Sequence, residues 1–312
     1  MTESRIHGNL APTADESLLK NVPTLTDGSP AEIIPAQAPK ACPACSASRT
    51  ASQTIANPWI YVLGDVDAVI PNLAIEKEIW AAMAQVGTKD LPNEAATQKV
   101  LESPSYAYLA RNMCYVLRVQ EVETYILVPS VPLDYSLLVD AAKYEVSAVI
   151  GTRGPIAGPE MCNGLTLPIV VVEMVYNFNK PDLISKMPLP PGTDPTGEAK
   201  FRAAASETFE YVSQLVSAGQ QDGERALAKI LLSDQDFYYT ISNAFAQDEQ
   251  LLSVNLKPVL SVSPVSQIDV VVTTANRKTG MQRSTFARYN TQTKFPFRVF
   301  GWQQHLGPSP GQ

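Results

Sequence analysis

Residues 201–216 read FRAAASETFEYVSQLV, and residues 268–274 read IDVVVTT. In the first stretch Phe201, Ala205, Phe209, Val212 and Val216 recur at helical spacing and form one stripe. The second is a short run dominated by β-branched residues, which reads as a strand. The same switch holds around both stretches. Ala226, Leu227, Ile230 and Leu231 line a second helix, and Ser233 and Asp236 form a capping-box pattern ahead of Phe237, Ile241 and Phe245. After them Val254–Leu260, Ile268–Thr274, Arg283–Tyr289 and Phe295–Trp302 read as antiparallel strands, with a turn at Asn276–Gly280. Helices followed by strands predict an α+β fold for this half.

The first half is a mixed α/β part. Trp59–Gly64 reads as a strand, and Ile75, Ile79, Met83 and Val86 share a helix face capped by Asn72. A helix is expected over residues 93–103 and another near Tyr135–Ala142. Cys114–Val119 and Thr124–Val128 read as paired strands with a tight turn at Glu121-Val122. Two more strands are expected at Ala148–Ile150 and Ile169–Val175, joined by a long irregular loop over residues 151–164. The fold class is therefore α+β, a mixed part followed by helices and an antiparallel sheet.

Proline and aromatic placement sets the expected domains. Residues 1–57 contain no Phe, Trp or Tyr, so they offer little apolar area to offset the entropy of ordering. They read as a disordered tail. Residues 58–186 and 199–304 read as two α+β domains, and 187–198, with Pro188, Pro190, Pro191 and Pro195, as the linker between them. Residues 305–312 read as a second tail.

Composition restricts the chemistry. The only histidines are His7 and His305, one near each end. A Ser-His-Asp triad, a Cys-His pair or an HExxH zinc site needs an imidazole held in a rigid pocket. The net charge of -7 argues against a nucleic-acid binder. No signal peptide is visible in Met1-Thr2-Glu3-Ser4, and no apolar run spans a membrane. Four cysteines in a chain of this kind point to a reducing cytoplasm.

A family resemblance rests on several ordered motifs. They are Pro71-Asn72-Leu73-Ala74-Ile75-Glu76-Lys77-Glu78, then Tyr108-Leu109-Ala110-Arg111-Asn112-Met113-Cys114 with Glu123-Thr124-Tyr125-Ile126-Leu127. Val149-Ile150-Gly151-Thr152-Arg153-Gly154-Pro155-Ile156 and Pro159-Glu160-Met161-Cys162-Asn163-Gly164-Leu165 follow. Together they resemble the C-terminal domain of unknown function of cyanobactin (patellamide-type) maturation proteins, the PatA/PatG type, here read as a free-standing copy. The resemblance covers about Trp59 to Trp302. It implies a place in ribosomal peptide biosynthesis and names no reaction.

Three constellations are candidates for function. Cys42, Cys45, Cys114 and Cys162 could share one structural zinc, since zinc in such a site takes four ligands; unrelated thiols or a redox pair are the alternatives. In the 151–164 stretch, Arg153 offers a planar fork for a carboxylate, with Glu160 and Asn163 nearby. The alternative is that Arg153 and Glu160 pair with each other or with backbone. Finally, no Asp or Glu follows Asp269, whereas six Lys and Arg do, among them Arg283, Arg288 and Arg298. The chain before residue 270 then holds 18 basic and 31 acidic residues, a net of -13. A basic edge strand could take an acidic peptide, or its cations could simply protect the sheet edge. The expected function is a non-catalytic accessory protein that binds or scaffolds a precursor peptide or a peptide-modifying enzyme. The alternatives are a peptide-modifying enzyme centred on Arg153, Glu160 and Cys162, and a structural zinc module that forms a homodimer.

Overall fold

The computed structural model describes residues 58–305, apart from 89, 132–133, 190 and 261–264. The expected tail over 1–57, with Cys42 and Cys45, lies outside the described residues, as do residues 306–312. Chain order is β1 (Trp59–Val69), α1 (Leu73–Val86), α2 (Asn93–Glu102), α3 (Ala107–Asn112), β2 (Cys114–Val119), β3 (Val122–Pro129), α4 (Ser136–Ala141), β4 (Val146–Ile156) and β5 (Pro168–Phe178). Then come α5 (Lys180–Lys186), α6 (Pro195–Ser213), α7 (Asp222–Ser233), α8 (Gln235–Ala246), β6 (Glu249–Pro258), β7 (Gln267–Asn276), β8 (Gln282–Asn290) and β9 (Phe297–Gln304). The fold is α+β as expected, with the antiparallel sheet at the C-terminal side.

The first five strands close into a barrel in the order β1-β2-β3-β5-β4. All its pairings are antiparallel except β3 with β5, which run parallel from Ile126↔Ile169 to Pro129↔Val172. Closure removes every sheet edge. The remaining strands form an open sheet, β6-β7-β8-β9.

Strand alternation sorts the side chains into separate cores. Ile60, Val62, Leu117, Tyr125, Val149, Val170 and Val172 point into the barrel, where Ile79, Val100, Leu109 and Leu138 from α1–α4 join them. Tyr61, Leu63, Ala148, Ile150 and Phe178 face outward and pack with Phe201, Phe209, Leu227, Phe237, Val270 and Tyr289. A third cluster covers another outer face of the barrel: Cys114, Val116, Ile126, Ala157 and Cys162.

Three details differ from the sequence reading. The β2–β3 turn is at Gln120-Glu121, both with positive φ (51° and 65°), as a right-twisted two-residue hairpin requires. The loop expected from residue 151 is strand up to Ile156, because Gly151 lets β4 pass close to the Val171 carbonyl, with which an added Cβ would collide. The stretch 187–198 opens α6 at Pro195, and the parts on either side of it share the outward-facing core. Proline and glycine mark a break in secondary structure; they cannot report whether the flanks pack together.

Candidate functional site

The 151–164 stretch divides into a strand end and a turn. Arg153 sits on β4, with its backbone N–H on the Pro58 carbonyl at 2.9 Å. Its guanidinium donates to Gln220 Oε1 at 3.0 Å. Gln220 Nε2 in turn donates to the Tyr125 hydroxyl at 2.6 Å, and that hydroxyl donates to the Ala218 carbonyl at 2.8 Å. Burial, ahead of other influences, raises the Tyr125 pKa. Buried Glu224 holds the same loop by accepting from Ser217 Oγ and from the Gln220 and Gln221 backbone N–H groups. One prong of the Arg153 fork is thus engaged by the loop ahead of α7. Glu160 lies over Gly158, where an added Cβ would strike its carboxylate. Asn163 is exposed in a left-handed turn with φ 48°, followed by Gly164 at φ 91°. Among the described residues no ion pair joins Arg153 and Glu160.

The structure brings Cys114 and Cys162 together as a disulfide with Cα atoms 5.4 Å apart. Both are buried in the third cluster. These two cysteines are thus bonded to each other, which corrects the expectation that they are reduced and offered to a zinc; Cys42 and Cys45 lie outside the described residues. A disulfide sulfur has no thiolate charge to give a metal. Among the described residues no group of three or more His, Cys, Asp or Glu is arranged to hold a metal ion.

The basic strands are not a free cationic patch. Arg288 forms a two-pronged pair with Asp269, its partner across β7 and β8, at 2.6 and 2.8 Å. Those hydrogen bonds raise the Arg288 pKa. Its guanidinium also lies 5.4 Å from the Phe300 ring centroid. Arg283 donates to Gln247 at 3.1 Å and pairs with Glu249 at 3.6 Å. Arg298 reaches Asp234 at 2.8 Å and Asp236 at 2.6 Å.

Asp234 is a hub that the sequence reading missed. It caps α8 by accepting from the Phe237 N–H at 3.2 Å. The same carboxylate accepts from the Tyr289 hydroxyl and from Trp302 Nε1 at 3.2 Å. Burial first, then the Asp234 charge, raises the Tyr289 pKa. The hub borders a cavity of about 400 Å³ lined also by Lys229, Gln235 and Asp236. The Ser233-to-Asp236 pattern located this helix start but assigned the cap one residue early. The partners Tyr289, Arg298 and Trp302 are too distant in sequence for any motif to join them to Asp234.

A larger groove runs between α6 and α8, with a volume of about 690 Å³. Phe201, Ala204 and Phe245 supply apolar lining, Ala203, Ser242 and Asn243 line it further, and Lys200, Glu207 and Asp194 bring charge. Pro191, Gly192 and Thr193 line it too, so part of the expected linker contributes to the groove. The run of alanines in α6 was the available signal, since small side chains leave room beside a helix.

Residues 59–149 match the family described as PatG Domain. A comparison with the curated proteins finds no match. Among solved structures the chain is similar to a "PatG Domain of Unknown Function", with a TM-score of 0.65 and 17% identity. That alignment covers 80% of this chain and 99% of the other, and at this identity it speaks for the fold. Residues 59–149 are therefore similar in sequence to the PatG Domain family, and the chain is similar in fold to a PatG domain over most of its length.

Proposed function

We propose that the protein is a non-catalytic accessory factor of cyanobactin-like ribosomal peptide biosynthesis, and that it holds a precursor peptide in the groove between α6 and α8. The observation that carries this is the groove itself. It is the most spacious of the cavities described above, and its lining is mixed, with Ala203, Phe245 and Ala246 beside polar groups, Ser242 and Asn243 among them. Binding pockets have this make-up. Half-buried Phe245 would give a peptide side chain a surface to bury against, while Lys200 and Glu207 would meet its polar ends.

The reading moves the peptide away from Arg283, Arg288 and Arg298, whose charges are already engaged. The test is titration of a fluorescently labelled precursor peptide, leader and core together, against the full chain. Ala203→Trp and Asn243→Trp fill the groove from exposed positions and should leave the melting temperature unchanged. Each should weaken binding by about ten-fold or more, equivalent to about 1.4 kcal/mol. No binding at millimolar peptide, or binding indifferent to both substitutions, would sink the proposal.

A further inference from the structure

The segment 157–167, between the ends of β4 and β5, is an arm laid over the outer face of the barrel. Among the described residues its loop backbone hydrogen bonds are its own. Ala157 N–H donates to the Leu167 carbonyl at 2.9 Å, closing the neck. Within the arm, Met161 donates to Gly158, Gly164 to Pro159 and Leu165 to Cys162, at 2.8–3.1 Å. What attaches the arm to the barrel is apolar contact and one covalent bond. Ala157 and Cys162 are buried against Cys114, Val116 and Ile126, with Leu165 and Leu167 partly buried beside them. The Cys114–Cys162 disulfide crosses from β2 to the middle of the arm.

An arm with no backbone hydrogen bonds to the surface it covers opens at low cost once its tether is cut. We propose that the Cys114–Cys162 bond is a redox latch: oxidised, it clamps the 157–167 arm over β2 and β3, and reduced, it lets the arm lift and uncover Val116 and Ile126. The chemistry is thiol–disulfide exchange with a dithiol. One thiolate of the dithiol attacks a sulfur of the pair and forms a mixed disulfide. Its second thiolate displaces that bond. The dithiol leaves as a cyclic disulfide, two electrons pass to the protein, and Cys114 and Cys162 each take up a proton. The barrel strands keep their ladders throughout, so the opening is confined to the arm.

The experiment is hydrogen exchange read by mass spectrometry on the full chain carrying Cys42→Ser and Cys45→Ser, which leaves one cysteine pair. The protein is compared oxidised and after dithiothreitol. The latch predicts that amides of 157–167 exchange about ten-fold or more faster when reduced, while those of α7 and β7 do not change. It also predicts that iodoacetamide labels Cys162 under native conditions only after reduction. A Cys162→Ala variant should show the fast arm without any reductant; should that variant fail to fold, reduction of the double-serine chain still decides. Unchanged arm exchange after reduction overturns the latch. So does acceleration throughout the molecule, which would make the bond a general staple, and so does labelling of two thiols before any reductant is added.

Discussion

Asp234 concentrates four interactions in one carboxylate: the α8 cap, the Tyr289 hydroxyl, the Trp302 indole and the Arg298 guanidinium. Its side chain is 8% exposed, while that of neighbouring Asp236, which shares Arg298, is 56% exposed. The two should therefore behave differently on removal. Asp234→Ala leaves buried donors without an acceptor, each costing about 1–3 kcal/mol, and removes a cap worth about 1 kcal/mol. We expect a loss of about 3–5 kcal/mol, the range seen when one partner of a buried pair is deleted. Asp236→Ala gives up a solvent-screened pair and should cost less than about 1 kcal/mol. Urea unfolding of both variants checks this, and equal losses would show that the hub is not as buried as its contacts imply.

At the scale of elements, the segment between α6 and α7 is held against β1 and the β2–β3 turn. Tyr61 on β1 donates its N–H to the Gly219 carbonyl at 3.1 Å, and Gln120 at the β2–β3 turn donates to the Gln214 and Val216 carbonyls. Gly219 has φ 63°, and an added Cβ would collide with the Tyr61 carbonyl and with Val62. Gly280, in the β7–β8 turn, has φ 70° but open space around it. Gly280→Ala should cost about 1 kcal/mol for its backbone conformation alone. Gly219→Ala should cost more, because the segment must also move off β1. Thermal melts of the two variants decide; a smaller effect at Gly219 would mean that the segment is not wedged against the strand. Periodicity made α1 and α6 legible, since each has a wet and a dry face, whereas α7 and β7 are buried nearly all round and β9 is exposed along most of its length. It did not reveal barrel closure. The β3–β5 pairing joins strands separated by a helix and β4, and residues 151–156 carry Gly and Pro that read as loop. The disulfide was half legible: Cys114 and Cys162 were grouped, but spacing cannot tell two thiolates on a metal from a bond between them.

Across the whole molecule, charges from distant segments cancel. Five of the six cations after Asp269 meet carboxylates, Asp248 at Lys278, Glu249 at Arg283, Asp269 at Arg288, Glu173 at Lys294, and Asp234 and Asp236 at Arg298, while Arg277 lies 6.0 Å from the Phe245 ring centroid. The acidic body and basic end of the sequence thus meet in ion pairs, with the side chains of Lys278 and Arg283 still 83% and 49% exposed. Buried tyrosines tie the cores to pH in the same global way. Tyr115 and Tyr125 lie in the barrel core, and Tyr61, Tyr238 and Tyr289 in the outward-facing core. Burial raises the pKa of all five above the ordinary value of 10.0, to about 12 for Tyr61. The folded state therefore holds these protons more tightly than the unfolded chain does. The stability they contribute is fully present below pH 10.0 and is lost as pH climbs through the folded values, from 10.0 toward about 12 and beyond. The melting temperature should stay level as pH approaches that window and fall steeply inside it. Because both cores hold such tyrosines, their ionisation should coincide with unfolding. Near-ultraviolet tyrosinate absorbance and far-ultraviolet circular dichroism, followed in one alkaline titration, should give these five phenols and the helix signal a common midpoint. Ionisation of all five with the helix signal intact would mean that water reaches the phenols in the folded chain, contrary to the packing described.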